Sequence, residues 1–527
     1  MNNRKYKILS ALALSLFAAN VSAQLDEFPR TPSGKPDFSG IWQAMTKAGE
    51  GVEDALLRDM RELRTIPPRS RILTLVGKGH NGGDALIATK RFLRTIPTAR
   101  AVILPLAEWD DCRPLTQRAW GELNELAEKR IQVIDPKNDA IAELEKAVEE
   151  NELSALVDGF LGMQAKLPLR DPLPEILQWI NKCEKIAVRA AVDLPTGVTA
   201  EGTENPLRAD FTYCTGIVKQ PVLEHSNAEW VGRLRYLDLD FFGDADSRGH
   251  ACRVMRSDAL RRLRKLRRVD GDKRAHGHLF MLAGSRSLGG AAMMAAQGAL
   301  KAGVGLITAA VPESLHAAFA AQVPEVMWVP LPETPDGSLA LEGLGKIRQY
   351  LDRATALVTG PGLGIEKETH SLVREVCNLF DGPTLLDADA IRPEIFSKLK
   401  KTENVVITPH AGEFTRLAGD TAPPKWIEKN PCTLVLKGAH TQILSSSSHL
   451  YCLGGSSVLA RGGSGDLLAG ILGALLAKGT FPIEEGVALG VQWHGRAAEA
   501  LARQHGQESV RTTEILTYLS FALRNDF

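Results

Sequence analysis

A glycine-rich turn followed by an acidic residue is the strongest chemical signal in the sequence. The segment LARGGSGD ends at Asp466, and the residues that follow, LLAGILGALLAKG, are apolar on every side. We therefore predict a buried helix that is entered through a loop with few side chains. Gly462, Gly463 and Gly465 let the backbone come close to a ligand, and the first helical turn offers unpaired N–H groups to a phosphate. In that turn, Asp466 could accept the proton of a hydroxyl group beside the phosphate.

A plainer interpretation fits the same residues. A helix can begin at a Gly/Ser turn with an acidic cap and bind nothing. Neither the P-loop pattern nor the dinucleotide GxGxxG pattern is present. We also expect the helix dipole to favour the charged form of Asp466, which would make it a weak base.

A second glycine turn lies in the first half of the chain. ILTLV is a short buried strand, GKGHNGG from Gly77 to Gly83 is the turn, and Asp84 is expected to open a helix. Strand, glycine turn and helix in this order form a phosphate-binding unit. Asn81 and Asp84 place polar groups at the carboxyl end of the strand, where open α/β sheets bind ligands.

Carboxylates close two further strands of the first half. Asp158 follows SALV and Asp193 follows AVRAAV. With Asn81 they form a set at three strand ends, which could bind a hard cation through oxygen or carry out acid–base chemistry. Taken one at a time, each residue is as well explained as a cap or turn residue.

The second half holds further candidates. Asp387 and Asp389 end the strand TLL, and either coordinate a metal on bound phosphates or only cap the strand. His410 stands between Pro409 and a glycine, which favours a ligand contact over a buried structural imidazole. His494 lies on an apolar helix face, where a packing histidine is the better interpretation.

Strands and helices alternate in both halves, which predicts an α/β protein with parallel, doubly wound sheets in two domains. An amphipathic helix is expected from Met45 to Leu63. A basic helix is expected from Arg253 to Lys273, where a solvated linker is favoured over binding of nucleic acid or lipid headgroups. We place the domain boundary near Ala245.

Composition excludes several classes of protein. Lys+Arg and Asp+Glu are both 63 in 527 residues, so no bulk charge points to nucleic acid or an anionic membrane. The seven cysteines form no CxxC pair, which argues against zinc sites and a disulfide framework and is typical of a reduced, cytoplasmic protein.

Residues 1–23 nevertheless have the pattern of a secretory signal peptide, and residues 24–44 predict an irregular arm. Localisation therefore stays open between the cytoplasm and a secreted or periplasmic site. No later stretch is apolar for long enough to span a membrane.

Together the motifs resemble the bifunctional NAD(P)H-hydrate repair enzymes, in which an epimerase domain precedes a ribokinase-like, ADP-dependent dehydratase domain. The dehydratase resemblance rests on HGHLFMLAGSRSLGGAA, AGVGLITAAVP, ALVTGPGLG, LLDADAI, VITPHAGEF, LVLKGAHT and ARGGSGDLLAGILGALLAKG, in that order. It implies a domain over residues 246–527, with hydrated-cofactor contacts at Ala291, Gly362, His410 and Asp466. It also implies adenine-nucleotide contacts at Lys437, Gly438, Ala439, His440, Thr441 and Gly465. The glycine-loop argument adds Gly462, Gly463 and Ser464 to the predicted nucleotide site. The family usually has Thr where Ser464 stands.

The epimerase resemblance is more divergent and implies a Rossmann-like αβα domain over residues 45–245. It rests on GKGHNGGDALIATKRF, DGFLGMQAKLPLRDP and VDLPTG. The resemblance implies substrate contacts at His80 (where Asn is usual), Asn81, Gly82, Gly83, Asp84 and Asp193. Potassium is expected at Asn81, Asp158 and Thr196. Asp158 or Lys166 is expected to move a proton.

The implied function is repair of damaged nicotinamide cofactors. ADP, with Mg²⁺, would phosphorylate the ring hydroxyl of hydrated NADH or NADPH, and elimination would regenerate the cofactor with AMP and phosphate. The first half would interconvert the two epimers of the hydrate with the help of K⁺. Small molecules are the expected partners, without nucleic acid, and homo-oligomerisation stays open. Two alternatives remain: a ribokinase-like small-molecule kinase, and a first half that binds nucleotide or protein without turnover.

Overall fold

The computed structural model describes residues 39–135, 139–240, 252–267 and 269–524. The predicted signal peptide and most of the predicted arm lie outside these ranges. The chain divides into two compact units, residues 1–249 and 250–527. The expected boundary near Ala245 falls within residues 241–251, which are also outside the described residues.

The first unit is built on a parallel sheet with helices on both faces. Within the described residues its strand order is β3-β2-β1-β4-β5-β8-β9, and every neighbouring pair is parallel. The strands are β1 (Arg71–Val76), β2 (Arg100–Pro105), β3 (Ile131–Val133), β4 (Ala155–Gly159), β5 (Arg189–Val192), the hairpin β6 (Val198–Thr199) and β7 (Gly202–Thr203), β8 (Phe211–Thr215) and β9 (Arg233–Leu237). The helices are α1 (Ser39–Met60), α2 (His80–Thr95), α3 (Pro114–Ala127), α4 (Ala140–Glu150), α5 (Leu173–Lys182), α6 (Gln220–Leu223) and α7 (Ala228–Val231). Every residue of β1 and β4 is buried, as expected for central strands covered on both faces.

Two predictions about this unit need correction. The first helix begins at Ser39 instead of Met45, so the arm is not irregular after residue 38. Trp42 continues the helical apolar spacing of Met45 and packs against the same core. The second helix begins at His80 instead of Asp84, because Gly79 is already its N-cap and Gly82 and Gly83 lie inside it.

The second unit is built on a larger mixed sheet. Its strand order in the described residues is β10-β19-β18-β17-β16-β15-β14-β11-β12-β13, antiparallel only at the two β18 pairings. The strands are β10 (Arg253–Val254), β11 (His278–Leu282), β12 (Leu306–Pro312), β13 (Met327–Leu331), β14 (Ala356–Thr359), β15 (Thr384–Leu386), β16 (Val405–Ile407), β17 (Thr433–Leu436), β18 (Thr441–Leu444) and β19 (His449–Cys452). The helices are α8 (Gly289–Lys301), α9 (Glu313–Gln322), α10 (Leu344–Leu351), α11 (Lys367–Leu379), α12 (Pro393–Phe396), α13 (Ala411–Ala418), α14 (Pro423–Lys429), α15 (Ser464–Lys478), α16 (Ile483–His505) and α17 (Ile515–Arg524).

The prediction of a basic helix from Arg253 to Lys273 is wrong. Arg253 and Val254 pair with β19, and only short 3₁₀ turns follow, at Ser257–Leu263 and Lys273–His276. Strand pairing at the sheet edge has overridden the local helical pattern.

Helix α15 is buried and lies against α8 with close backbone contact. A Cβ atom at Gly470 would lie 1.9 Å from the carbonyl oxygen of Ala295, and one at Gly298 would lie 2.5 Å from that of Leu467. These glycines therefore permit the packing that fixes the position of the α15 N-terminus. The predicted buried helix after Asp466 is confirmed. In the described part of the chain, none of the helices has the length and apolar character needed to cross a membrane.

Candidate functional site

The loop before α15 presents bare backbone to its surroundings. Gly463 is the N-cap in the left-handed conformation (φ 89°), and no side chain caps the helix. A Cβ atom at Gly462 would have no neighbour within 4 Å, and one at Gly465 would meet only the Lys437 amine, at 3.5 Å. The first-turn amides of an uncapped helix are a favourable site for an anion.

Arg461 holds this loop in place, and the sequence did not reveal that role. Its guanidinium donates to the carbonyl oxygens of Val510 (2.9 Å) and Gln507 (2.7 Å). The Thr512 hydroxyl donates to the carbonyl of Gly462 at 3.0 Å. The partners come from about fifty residues later in the chain, which no local pattern can indicate.

Asp466 lies partly buried in the first turn of α15, and no group in the described residues donates a hydrogen bond to it. Burial raises its pKa to about 6; Asp387 and, more weakly, Asp389 add to the rise, and Lys437 opposes it. The prediction that the helix dipole makes Asp466 a weak base was wrong. Burial and the neighbouring carboxylates raise its pKa, and so act against the dipole.

Lys437 belongs to the predicted nucleotide segment Lys437–Thr441, and it forms an ion pair with Asp387 at the end of β15. Its amine contacts Asp387 Oδ1 at 3.0 Å and approaches Glu413 Oε2 at 3.9 Å. The same Asp387 oxygen accepts from the Thr408 hydroxyl at 2.6 Å. The structure thus brings together β15, β16, β17 and the α15 loop at one edge of the sheet. Gly438, Ala439 and His440 form the turn from Lys437 to Thr441, and a Cβ atom at Gly438 would meet nothing within 4 Å.

The alternatives for Asp387 and Asp389 can now be weighed against their contacts. Asp389 accepts a hydrogen bond from the Gly364 amide at 2.9 Å, which is a structural role at the turn after β14. Within the described residues, no three or more His, Cys, Asp or Glu side chains form a group that could hold a metal ion.

His410 is exposed, and it caps α13. Its Nδ1 accepts from the amides of Gly412 (3.0 Å) and Glu413 (3.3 Å), and Glu413 Oε2 accepts from the His410 amide at 2.8 Å. A buried structural imidazole is thus excluded as expected, and contact with a ligand stays a prediction. His494, by contrast, is a buried packing residue as predicted, and burial lowers its pKa to about 4.

Ala291 and Gly362, both expected to contact the hydrated cofactor, lie side by side. A Cβ atom at Gly362 would lie 3.0 Å from that of Ala291 and 2.3 Å from the Leu288 carbonyl oxygen. Gly362 has φ 64°, so both its conformation and its surroundings require glycine.

In the first unit the glycine turn serves mainly to pack two strand ends together. A Cβ atom at Gly77 would lie 1.7 Å from the Phe160 carbonyl oxygen, and one at Gly82 would lie 2.2 Å from the carbonyl of Gly77. Gly79, the uncapped N-cap of α2, has open space around it. Burial and then Arg113 lower the pKa of the neighbouring His80 to about 4, so its imidazole is neutral at pH 7.

Asp158 is buried and fully engaged by its neighbours. It accepts from the Thr196 amide (2.7 Å), the Thr196 hydroxyl (2.8 Å) and the Phe160 amide (3.0 Å). Burial raises its pKa to about 6, and these three hydrogen bonds oppose the rise. Asn81 donates to the carbonyl of Val192 at 3.1 Å, so Asn81, Asp158 and Thr196 together fix the ends of β4 and β5.

Asp84 and Asp193 form an acidic pair in the same unit, beside a lysine that the sequence did not reveal. Asp193, at φ 65°, contacts the amine of Lys219 at 2.8 Å and accepts from the amide and hydroxyl of Thr215. Asp84 is buried, and its Oδ1 has no hydrogen-bond partner among the described residues. Its pKa is raised well above the usual value, first by burial and then by Asp193. Lys166 is exposed after β4.

Each unit thus presents an uncapped helix and acidic side chains at the carboxyl ends of parallel strands, which is the architecture of nucleotide-binding enzymes. Residues 42–221 match the family model of the YjeF-related protein N-terminus. Residues 279–520 match the family model described as NAD(P)H-hydrate dehydratase.

Curated relatives make the family plain. A bifunctional NAD(P)H-hydrate repair enzyme from Moorella thermoacetica is 31% identical over 529 residues, covering 97% of both chains. One from Gloeobacter violaceus is 34% identical over 458 residues, covering 82% of this chain and 85% of its own. A crystal structure of the ADP/ATP-dependent NAD(P)H-hydrate dehydratase from Bacillus subtilis is 25% identical, covers 52% of this chain and 98% of its own, and has a TM-score of 0.45. The chain belongs to the family of bifunctional NAD(P)H-hydrate repair enzymes.

Proposed function

We propose that the second unit dehydrates hydrated NADH or NADPH with a nucleotide as phosphoryl donor, and that this donor is ADP. The observation that carries the proposal is the open glycine loop of α15 beside Asp466, whose pKa is about 6. A carboxylate with this pKa is mostly ionised at pH 7 and is a stronger base than an ordinary aspartate.

The reaction runs in two steps. Asp466 takes the proton of the ring hydroxyl while the hydroxyl oxygen attacks the terminal phosphorus of ADP. A new P–O bond forms, the bond from that phosphorus to the bridging oxygen breaks, and AMP leaves. The ring C–O bond then breaks, phosphate departs, and loss of a ring proton restores the double bond of the reduced nicotinamide. Amides of residues 462–465 stabilise negative charge on the moving phosphoryl group, and Lys437 lies within reach of the same space.

Magnesium fits this site as a companion of the nucleotide. Phosphate oxygens and water would be its main ligands, because Mg²⁺ commonly keeps several waters and binds through few carboxylates. It would neutralise phosphate charge during transfer.

We propose that the first unit epimerises the hydrate at the carbon that carries the added hydroxyl. The contacts favour Asp84 and Asp193 over Asp158 or Lys166 as the groups that move protons. A protonated Asp84 can donate to the departing hydroxyl, and Asp193, which contacts the Lys219 amine at 2.8 Å, can accept from the water that adds to the opposite face. K⁺ would bind at Asn81, Asp158 and Thr196. Asp158 accepts three hydrogen bonds, and a carboxylate has about four lone-pair sites, so it keeps one site for the cation.

One assay tests both halves. Purified chain is incubated with a single epimer of hydrated NADPH, first without nucleotide and then with ADP and Mg²⁺. Conversion to the other epimer is expected in the first stage. Recovery of the near-ultraviolet absorbance of reduced nicotinamide, with one AMP and one phosphate per turnover, is expected in the second.

The alternatives give different products. A small-molecule kinase would yield a stable phosphorylated product without recovered absorbance. A first unit that only binds would leave the single epimer unchanged before ADP is added.

A further inference from the structure

The edge of the second sheet carries a cysteine–histidine–glutamine cluster outside the proposed active site. Arg253 of β10 pairs with Leu450 of β19, so Cys252 lies beside His449. Leu444 of β18 pairs with His449, so Gln442, two residues earlier in β18, shares its face. Three neighbouring strands thus bring these side chains together.

The contacts place an imidazole nitrogen beside the thiol. The Cys252 sulfur lies 3.4 Å from His449 Nδ1, and His449 Nε2 lies 3.0 Å from the Gln442 side-chain oxygen. A carbonyl oxygen accepts only, so Nε2 carries the hydrogen and Nδ1 presents a lone pair to the thiol. The ring of Tyr451 stacks on that of His449 at 4.8 Å and fixes its plane.

Exposure sets Cys252 apart from the other cysteines. All seven lie in the described residues; Cys252 is exposed, and the other six are buried or partly buried. Burial raises the pKa of the Cys377, Cys432 and Cys452 thiols to about 12, which suppresses the reactive thiolate form.

We propose that Cys252 is a modification site that forms mixed disulfides with low-molecular-weight disulfides such as glutathione disulfide. His449 Nδ1 takes the thiol proton, and the Cys252 sulfur attacks one sulfur of the disulfide. A new S–S bond forms, the original one breaks, and the departing thiolate takes up a proton. Cys252 is thereby oxidised, and one half of the small disulfide is reduced.

We expect modification of Cys252 to affect nucleotide binding at Lys437–Thr441, a consequence that rests on the proposed function. We expect a bulky group on Cys252 to displace His449 from Gln442, which directly follows Thr441 at the start of β18. The Gln442 side chain then loses the partner that orders it next to the turn from Lys437 to Thr441. We therefore expect the mixed disulfide to weaken nucleotide binding and reductant to restore it.

The test measures glutathionylation of the full chain at neutral pH by mass spectrometry, with peptide mapping. Cys252 should react at least about tenfold faster than the partly buried Cys183, and H449F should slow it about tenfold while keeping a stacked ring. C183S serves as the matched control and should leave the rate unchanged. The melting temperature checks that H449F is folded. If Cys252 is glutathionylated at the same rate in the wild type and in folded H449F, the role of His449 as the base is overturned.

ADP affinity is then measured on reduced, glutathionylated and re-reduced protein. A dissociation constant at least about threefold higher only in the glutathionylated form is expected. An unchanged constant would overturn the coupling to the nucleotide segment. If reduced protein bound no ADP at all, the proposed function would fail, whereas the thiol rates would still decide the modification site.

Discussion

Asp466 lies in the helix that follows a glycine loop, and Asp158 lies at the end of β4, yet each has a pKa raised to about 6 by burial. Their surroundings differ. Asp158 accepts three hydrogen bonds from Thr196 and Phe160, whereas Asp466 accepts none from the described residues and faces an open glycine loop. A raised pKa alone therefore does not identify a catalytic carboxylate. The availability of its oxygens separates the chemical group from the structural one.

The largest effect is expected from Asp466→Asn. Without a proton acceptor, kcat for dehydration should fall about 10²- to 10⁴-fold, while ADP binding stays within a few fold. Steady-state kinetics and calorimetric ADP titration measure the two quantities. Asp420→Asn, at an exposed carboxylate after α13, is the matched control and should behave as wild type. Undiminished turnover in D466N would remove Asp466 from the mechanism.

A smaller but clear loss is expected from Asp84→Asn. Asn has the shape of a protonated Asp but no transferable proton, so epimerisation should fall at least about tenfold with little change in melting temperature. Epimer ratios followed by chromatography without ADP give the rate. Normal epimerisation in this variant would return the proton-transfer role to Asp158 or Lys166.

Asp158→Asn should act on stability instead of chemistry. An amide cannot accept all three hydrogen bonds, and a buried donor left without its partner costs about 1–3 kcal/mol. Denaturant unfolding monitored in the first unit should show this loss, and dehydration by the second unit should be unaffected. Full stability combined with lost epimerisation would contradict the structural role.

The smallest effect concerns the charges around Asp466. Lys437 lowers the pKa of Asp466 and Asp387 raises it. Lys437→Met should therefore move the rising part of the pH–kcat profile to higher pH, and Asp387→Asn should move it to lower pH, each by about one pH unit. Rates at saturating ADP separate this from nucleotide affinity. Shifts in the same direction would contradict the charge assignment.

The sequence was sufficient for the alternation of strands and helices, the buried helix after Asp466 and the packing role of His494, because burial leaves a strong apolar pattern. It could not show Lys219 or Arg461, whose partners lie far away in the chain. It also missed the strand at Arg253–Val254, because pairing with β19 is a tertiary effect. The rise in the pKa of Asp466 depends on Asp387, about eighty residues earlier, so local dipole reasoning gave the wrong direction.

The most direct test of the central claim is the pH dependence of kcat for dehydration at saturating ADP and hydrate. Asp466 must be deprotonated to accept the hydroxyl proton, so the rate should rise with pH through about 6 and then level off. In D466N the residual rate should lack this rise. A wild-type profile that is flat across pH 6, or an unchanged rise in D466N, would contradict the assignment of Asp466 as the base.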